Sequence, residues 1–196
     1  MKITRRMTLA LFVLACTLPL FAADPPQMDQ KAMMEAMAKI AAPGENHKKL
    51  DTLVGAWDTK VTMWMMPGTP PMTSTGKSKN AWILGGRYLE QRYDGTFMGA
   101  PFHGLGYTGY DNVTKKWWGT WIDDMSTGMM ASEGTMDGDG VWSFDSKMAD
   151  PMTGQMTEMK EKLTIKDKDH HTMEMWMPGP DGKLFLSMQI DYARSK

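Results

Sequence analysis

From Gly55 to Arg194 hydrophobic and polar positions alternate, with glycine, proline and aspartate interrupting at short intervals. A period of two is that of a half-buried strand, whose successive side chains face opposite sides of a sheet. In the first run Trp57, Val61, Met63 and Met65 alternate with Asp58, Lys60 and Thr62. The same pattern predicts strands over 75–84, 87–93, 104–110, 116–123, 129–136, 141–147, 156–166, 170–177 and 184–194. Turn residues separate them, among them Gly85-Gly86, Asp137-Gly-Asp-Gly140, Asp150-Pro-Met-Thr-Gly154 and Pro178-Gly-Pro-Asp-Gly182. About ten strands without helices between them predict an all-β fold, an up-and-down antiparallel barrel, which leaves no strand edge unpaired.

Ahead of the strands the period is helical. Met28, Met33, Met34, Met37, Ile40 and Ala41 share one helix face, started near Asp29 and stopped by Pro43-Gly44. The reading is a surface or tethering helix with a methionine stripe. A second short turn follows over 46–53, with Asn46 as its cap. Further upstream, Lys2, Arg5 and Arg6 precede an apolar run from Met7 to Phe21, then Ala22, Ala23 and Asp24-Pro25-Pro26. That is the pattern of a cleaved export leader, too short to stay in a membrane. Val13-Leu14-Ala15-Cys16 resembles a lipidation box, but the apolar run continues past Cys16 to Phe21, so ordinary cleavage is favoured. Thr4-Arg5-Arg6-Met7-Thr8-Leu9 only loosely matches a twin-arginine signal. The expected organisation is a leader at 1–22, a helix and linker at 23–45, and one barrel domain at 46–196. The mature protein is expected in the periplasm or secreted, with no transmembrane segment once the leader is removed.

Removing the leader takes three basic residues and no acid, moving the formal net charge from −1 to −4. Nothing in that balance suggests a nucleic-acid partner. Cys16 is the only cysteine. The mature chain therefore has no disulfide, thiolate nucleophile or cysteine-held metal.

The later strands predict what faces inward. His171, Met173, Met175 and Met177 share a face, as do Leu184, Leu186, Met188, Ile190 and Tyr192. Met63, Met65 and Met159 are expected companions, with Trp121 opposite Gly119 from Trp117. Arg87, Glu90, Arg92 and Glu161 are charged candidates for the interior. Of these, Glu161 shares a face with Met159, Leu163 and Ile165 and is expected to pair with an arginine. The candidate cavity lining is thus Met63, Met65, Arg87, Trp121, Met159, Glu161, Met173, Met175, Met188 and Tyr192.

Competing chemistry is weaker. Gly104-Leu-Gly106-Tyr-Thr-Gly109 has dinucleotide-loop spacing, but Tyr110-Asp-Asn-Val-Thr after it reads as a turn and not a helix. The glycines are expected instead to permit bending or close packing. Methionine is abundant, 23 of 196 residues. Thioethers suit a soft metal such as Cu(I), with Met173, Met175 and Met177 as its core. Yet alternate residues on one strand stand almost 7 Å apart, and methionine also fills irregular interiors. An oxidant sink is a third use of methionine, one that predicts no site. His103 and His171 are weak candidates for metal or haem. No catalytic triad, HExxH, phosphate loop or calcium loop is present, so no catalytic residues and no cofactor are assigned.

Two ordered patterns carry a family resemblance. Leu53-Val-Gly55-Ala-Trp57 is similar to the LxGxW motif of the calycin (lipocalin-like) superfamily. The resemblance implies that Trp57 closes one barrel end under a basic residue of the last strand, here Arg194. The second pattern runs through Trp82-Ile-Leu-Gly-Gly-Arg87, Met98-Gly-Ala-Pro-Phe102, Gly104-Leu-Gly106, Gly109-Tyr-Asp-Asn112 and Gly119-Thr-Trp-Ile-Asp123. It ends with Glu133-Gly134 and Met175-Trp-Met-Pro-Gly-Pro-Asp-Gly182. From about His47 to Arg194 the chain resembles the exported bacterial family called domain of unknown function 1579. This implies a lipocalin-like barrel and supplies no reaction. The expected function is non-catalytic binding of a small apolar or amphipathic molecule in a Met- and aromatic-lined cavity. The alternatives are a copper or haem protein, and a packed barrel acting as an interaction or envelope protein.

Overall fold

The computed structural model describes residues 29–138, 140–150 and 153–196. The expected leader, Cys16 and Met28 lie outside the described residues. Ten strands form one closed antiparallel barrel in which every strand pairs with its sequence neighbours and β1 closes on β10. They are β1 Gly55–Met63, β2 Met72–Ile83, β3 Tyr88–Phe97, β4 Ala100–Asp111 and β5 Lys116–Asp123, then β6 Met130–Met136, β7 Val141–Ala149, β8 Met156–Ile165, β9 His170–Pro178 and β10 Leu184–Arg194. The barrel is lipocalin-like, as the resemblance implied.

Two helices and a 3₁₀ turn precede it. Helix α1, Gln30–Ala41, is capped by Asp29, whose carboxylate accepts from Lys31 N at 3.3 Å. None of its residues is buried, and Met34 and Met37 are more than 60 % exposed. Its tie to the barrel is Asn112, whose amide donates to the carbonyls of Ile40 and Ala42. Helix α2, Glu45–Lys48, begins one residue before Asn46, so that residue is inside the helix and not its cap. The cap is completed by His47, whose Nδ1 accepts from Gly44 N at 3.0 Å. The 3₁₀ turn Lys49–Leu53 then drives Leu50 and Leu53 into the barrel end.

That end is sealed by packing. Leu50, Leu53, Leu89, Trp117, Trp142 and Phe144 form one buried cluster, with Trp82, Tyr110, Met136, Leu163 and Ile165 against it. Trp117 meets Trp142 and Tyr110 edge-on, the arrangement aromatic rings prefer. Trp57 is 1 % exposed and donates from Nε1 to Leu53 O. Its register partner Arg194 lays its guanidinium 4.2 Å over the indole ring. From there Arg194 reaches the carbonyls of Val54, Thr52 and Lys168. Gly55 has φ +125, and a Cβ there would come within 2.6 Å of Arg194 Nη1, so the motif's glycine makes room for the clamp.

Two expectations about register fail for local reasons. Met98 (φ 50) and Gly99 (φ 83) form a two-residue hairpin turn joining β3 directly to β4, where the sequence reading left a loop. In β10 the pairing with β9 shifts between Leu186 and Met188. A bulge turns the strand's facing by one residue. Phe185 therefore opposes Met177, and Leu186 opposes outward Trp176 instead of joining the Met188 face.

Candidate functional site

Strand register places the interior side chains in levels. Crossing β2, β1, β10 and β9, Met72, Met63, Met188 and Met175 are successive pairing partners. Directly paired side chains stand about 4.5–5.5 Å apart at Cβ, so these four thioethers make a continuous belt along the inner wall. Glu161 of β8 pairs with Met175 on one side and with Phe144 of the sealed cluster on the other, so it stands between the belt and the packed end. Met173 lies one level toward the sealed end, paired with Ile190 and Leu163. Met159 is buried in β8, opposite Ser146.

In this half of the barrel several inward-facing side chains are only half-buried. Met63, Met72, Trp121, Met175 and Met188 all keep partial exposure although they face the lumen of a closed barrel. Solvent reaches them because no plug like Leu50 and Leu53 covers this end among the described residues. Its rim includes the turns 64–71, Met98-Gly99, 124–129 and 179–183 and the described residues 153–155. Met65, Met66, Met98, Met125, Met129 and Met156, each at least half exposed, stand at or beside these turns.

Trp121 is placed by glycines. A Cβ at Gly104 would run into Cζ2 and Cη2 of the indole, and one at Gly106 would come within 3.0 Å of Cε3. The ring therefore lies flat along β4 and turns its other face to the lumen. Its Nε1 donates to Asp123 at 3.0 Å, which fixes the ring's direction. The dinucleotide-like glycine spacing is thus the bed of an aromatic platform. Tyr93 stands 6.4 Å from Trp121 between ring centres, the two rings meeting edge-on.

Between the two halves lies a polar layer. Tyr192 accepts at its hydroxyl from Gln91, which also donates to Ser78, and Ser78 donates to Asn80. Tyr192 stacks on His171 at 4.2 Å and 14°, and His171 meets Trp57 edge-on. Burial is the main cause that lowers the His171 pKa to about 3, with nearby Arg194 adding to it, so the ring is neutral. Its Nδ1 is buried without a hydrogen-bond partner, as is Trp142 Nε1. Burial also pushes Tyr192 up to about 12.

Among the described residues Glu161 is the one buried acid, at 4 % exposure. Desolvation raises its pKa, opposed by hydrogen bonds from Ser146 and Ser132. Its partners are these two hydroxyls and no arginine, which corrects the expected pairing. Arg87 is not in the lumen either: it sits in the β2–β3 turn and donates to Leu84 O at 3.0 Å. Glu90 and Arg92 face outward and pair with each other at 2.7 Å. Met65 lies past the end of β1, 59 % exposed, outside the cavity wall. His103 also faces outward, bonded to Asp94 at 2.7 Å, on the far side of the wall from His171. Among the described residues no group of three His, Cys, Asp or Glu is placed to hold a metal.

Two depressions of about 410 and 430 Å³ mark the outer wall. Their borders are outward charges, including the ion pairs Lys116–Glu133 and Lys160–Asp145. With their charges already paired across strands, they offer no convergent polar groups, and the lumen is the stronger site.

Residues 42–194 match the family described as "Protein of unknown function (DUF1579)". The chain belongs to that family. In fold, this DUF1579 protein is similar to Rv2717c from M. tuberculosis, at 14 % identity and a TM-score of 0.56, over 79 % of this chain and 100 % of that one. It is also similar to the S-type phycobiliprotein lyase CPES from Guillardia theta, at 12 % identity and a TM-score of 0.54, over 81 % and 97 % of the two chains. At such identities the likeness is one of fold. No curated protein matches the chain in sequence. Among the described residues of the DUF1579 protein no helix is long and apolar enough to cross a membrane.

Proposed function

We propose that this DUF1579 protein is an exported, non-catalytic carrier that takes a small apolar or amphipathic molecule into the open half of its barrel. The observation that carries the reading is the half-exposure of Met63, Trp121, Met175 and Met188, which face inward in a closed barrel. Binding sites are concave and mostly apolar with a few placed polar groups, and barrel mouths are a usual place for them. Methionine adapts its three torsions to a ligand's shape and offers a polarizable sulfur. The Trp121 platform adds a rigid face. Supporting export are the basic, apolar and small-residue segments of the first 23 residues.

The test is binding of the fluorescent apolar probe N-phenyl-1-naphthylamine to three proteins. Wild type is expected to bind it and quench Trp121. Met175→Asp places a charge on the belt and is expected to weaken binding at least tenfold. Glu174→Gln, on the outer face of the same strand, is expected to bind as wild type. Equal binding by all three removes the lumen from the function.

One observation favours a second reading. The belt Met72–Met63–Met188–Met175 aligns thioethers on adjacent strands, which lets three of them converge on one soft monovalent ion as residues along one strand cannot. Titration with Cu(I) against a chromophoric chelator decides it. Tight binding lost in Met188→Leu supports the metal, and no competition with the chelator rejects it.

A further inference from the structure

We infer that the molecule held in the lumen is a cationic amphiphile, its ammonium group drawn to Glu161 and its tail lying along the methionine belt and Trp121. The inference rests on the carrier reading and adds the charge of the ligand.

The first support is the sign of every charge the open half presents. Glu161 is on the inner face, and Asp123 ends β5 on the inner face at the rim. Among the described residues no lysine or arginine faces this half of the lumen. Lys60, Lys77, Lys79, Arg92, Lys160 and Lys162 all alternate to the outside of their strands. Arg194 is at the opposite, sealed end, where it clamps Trp57. Among the described rim residues Asp124 and Asp150 are acidic, and Asp181 is paired with Lys183 at 3.8 Å. A low-dielectric cavity ringed by one sign of charge concentrates the opposite sign.

The second support is the wall itself. A carboxylate or phosphate head entering here would meet Glu161 and Asp123 and no cation to pair with, an uncompensated burial of charge. An ammonium head would meet an acid held by two serine hydroxyls, in a lumen that Trp121 also lines from β5, three strands away. Tryptophan is the best aromatic partner for a cation, more so where water is excluded. Burial disfavours the charged form of Glu161, and a cation bound beside it would oppose that effect. The lumen therefore rejects anionic amphiphiles and accepts cationic ones through one residue.

The same arrangement sets a pH dependence. The titratable groups facing Glu161 across the lumen are Tyr93, Tyr192 and His171, with Asp123 at the rim. His171 is neutral down to about pH 3 and Tyr192 up to about pH 12, so neither changes charge over the working range. Affinity for a permanent cation is expected to fall as the medium is acidified and Glu161 is protonated.

The experiment displaces bound N-phenyl-1-naphthylamine with dodecyltrimethylammonium or with dodecanoate, both below their micellar concentrations. Wild type is expected to release the probe at least tenfold more readily to the cation than to the carboxylate. Glu161→Gln keeps the size and the hydrogen bonding of the neutral acid, and its thermal unfolding confirms the fold. In that variant the preference is expected to shrink severalfold and the loss of cation affinity on acidification to flatten. Glu174→Gln, outside the barrel, is expected to change neither. Equal displacement by the two amphiphiles in wild type overturns the inference while the carrier reading stands. So does a full cation preference retained in Glu161→Gln. A wild type that never binds the naphthylamine overturns both.

Discussion

Where β1 begins, Trp57 is 1 % exposed, pinned by Leu53 and covered by Arg194, and Leu50 is wholly buried beneath the barrel. Where β1 finishes, Met63 is half-buried, its level is a row of thioethers, and the turns beyond it carry exposed methionines. Both ends belong to the same ten strands and the same hydrogen-bonded wall, so the backbone does not distinguish them. Side-chain volume and rigidity do. Rings and branched chains that interdigitate reach crystal-like packing density and leave no room for a ligand. Flexible, unbranched methionines around a glycine-bedded tryptophan leave room and can re-form around an occupant. One end is closed by packed side chains, and the other keeps inward-facing side chains that solvent reaches.

Substitutions that break this contrast should cost most at the sealed end. Trp57→Ala removes a fully buried ring and its hydrogen bond and is expected to lower unfolding free energy by ~3–5 kcal/mol in urea titration. Met175→Ala, at a site already reached by solvent, is expected to cost no more than about 1–2 kcal/mol in the same assay. Similar losses for the two would erase the contrast between ends.

Two buried titratable groups, His171 and Glu161, give the next test, because their pH effects run in opposite directions. His171 has a folded pKa depressed to about 3. Its contribution is complete above the unfolded value near 6.5 and is lost as pH falls toward 3, on the order of 4 kcal/mol in all. His171→Phe keeps the stack on Tyr192 and is expected to flatten that acid limb of the stability profile. Glu161 has a folded pKa raised above its unfolded value. Its contribution is complete below that unfolded value and erodes as pH rises through the folded one. The difference between wild type and Glu161→Gln, measured across pH, is expected to show the wild type losing ground as pH increases. A difference that is flat or of the opposite sign would take Glu161 out of the low-dielectric wall.

Arg194→Ala sharpens the view of the clamp. It removes the cation over Trp57 and bonds to the carbonyls of Val54 and Thr52, at an expected ~1–3 kcal/mol. That is less than Trp57→Ala because the guanidinium is partly solvated. A loss equal to that of the tryptophan variant would make the charge, and not the ring, the seal.

Much of the barrel was legible because half-buried strands write their facing into the sequence every second residue. Lys116–Asp123 and Leu184–Arg194 fall where the pattern put them. The misses come where backbone geometry interrupts that pattern. Met98-Gly99 lacks the Asn-Gly form of its turn, so the long β3–β4 hairpin was not anticipated. The β10 bulge reversed Phe185 and Leu186 with no residue type to announce it. Met65 continued an alternation that had ended at Met63. Of the candidate cavity residues, Met63, Trp121, Met159, Glu161, Met173, Met175, Met188 and Tyr192 lie on the inner face of their strands, a placement each strand's own alternation already implies. What needed the folded register was everything between strands: the four-methionine belt, the serines that hold Glu161, and the bed that Gly104 and Gly106 make for Trp121.

The most direct measurement is methyl NMR of protein labelled at the methionine ε-carbons, titrated with N-phenyl-1-naphthylamine. The ring of the bound probe is expected to shift the methyls of Met63, Met175 and Met188 strongly. Met136 in the sealed half and Met34 on α1 are expected to stay in place. Shifts confined to α1 and the outer wall, or equal at the two ends of the barrel, would contradict an open, ligand-binding half.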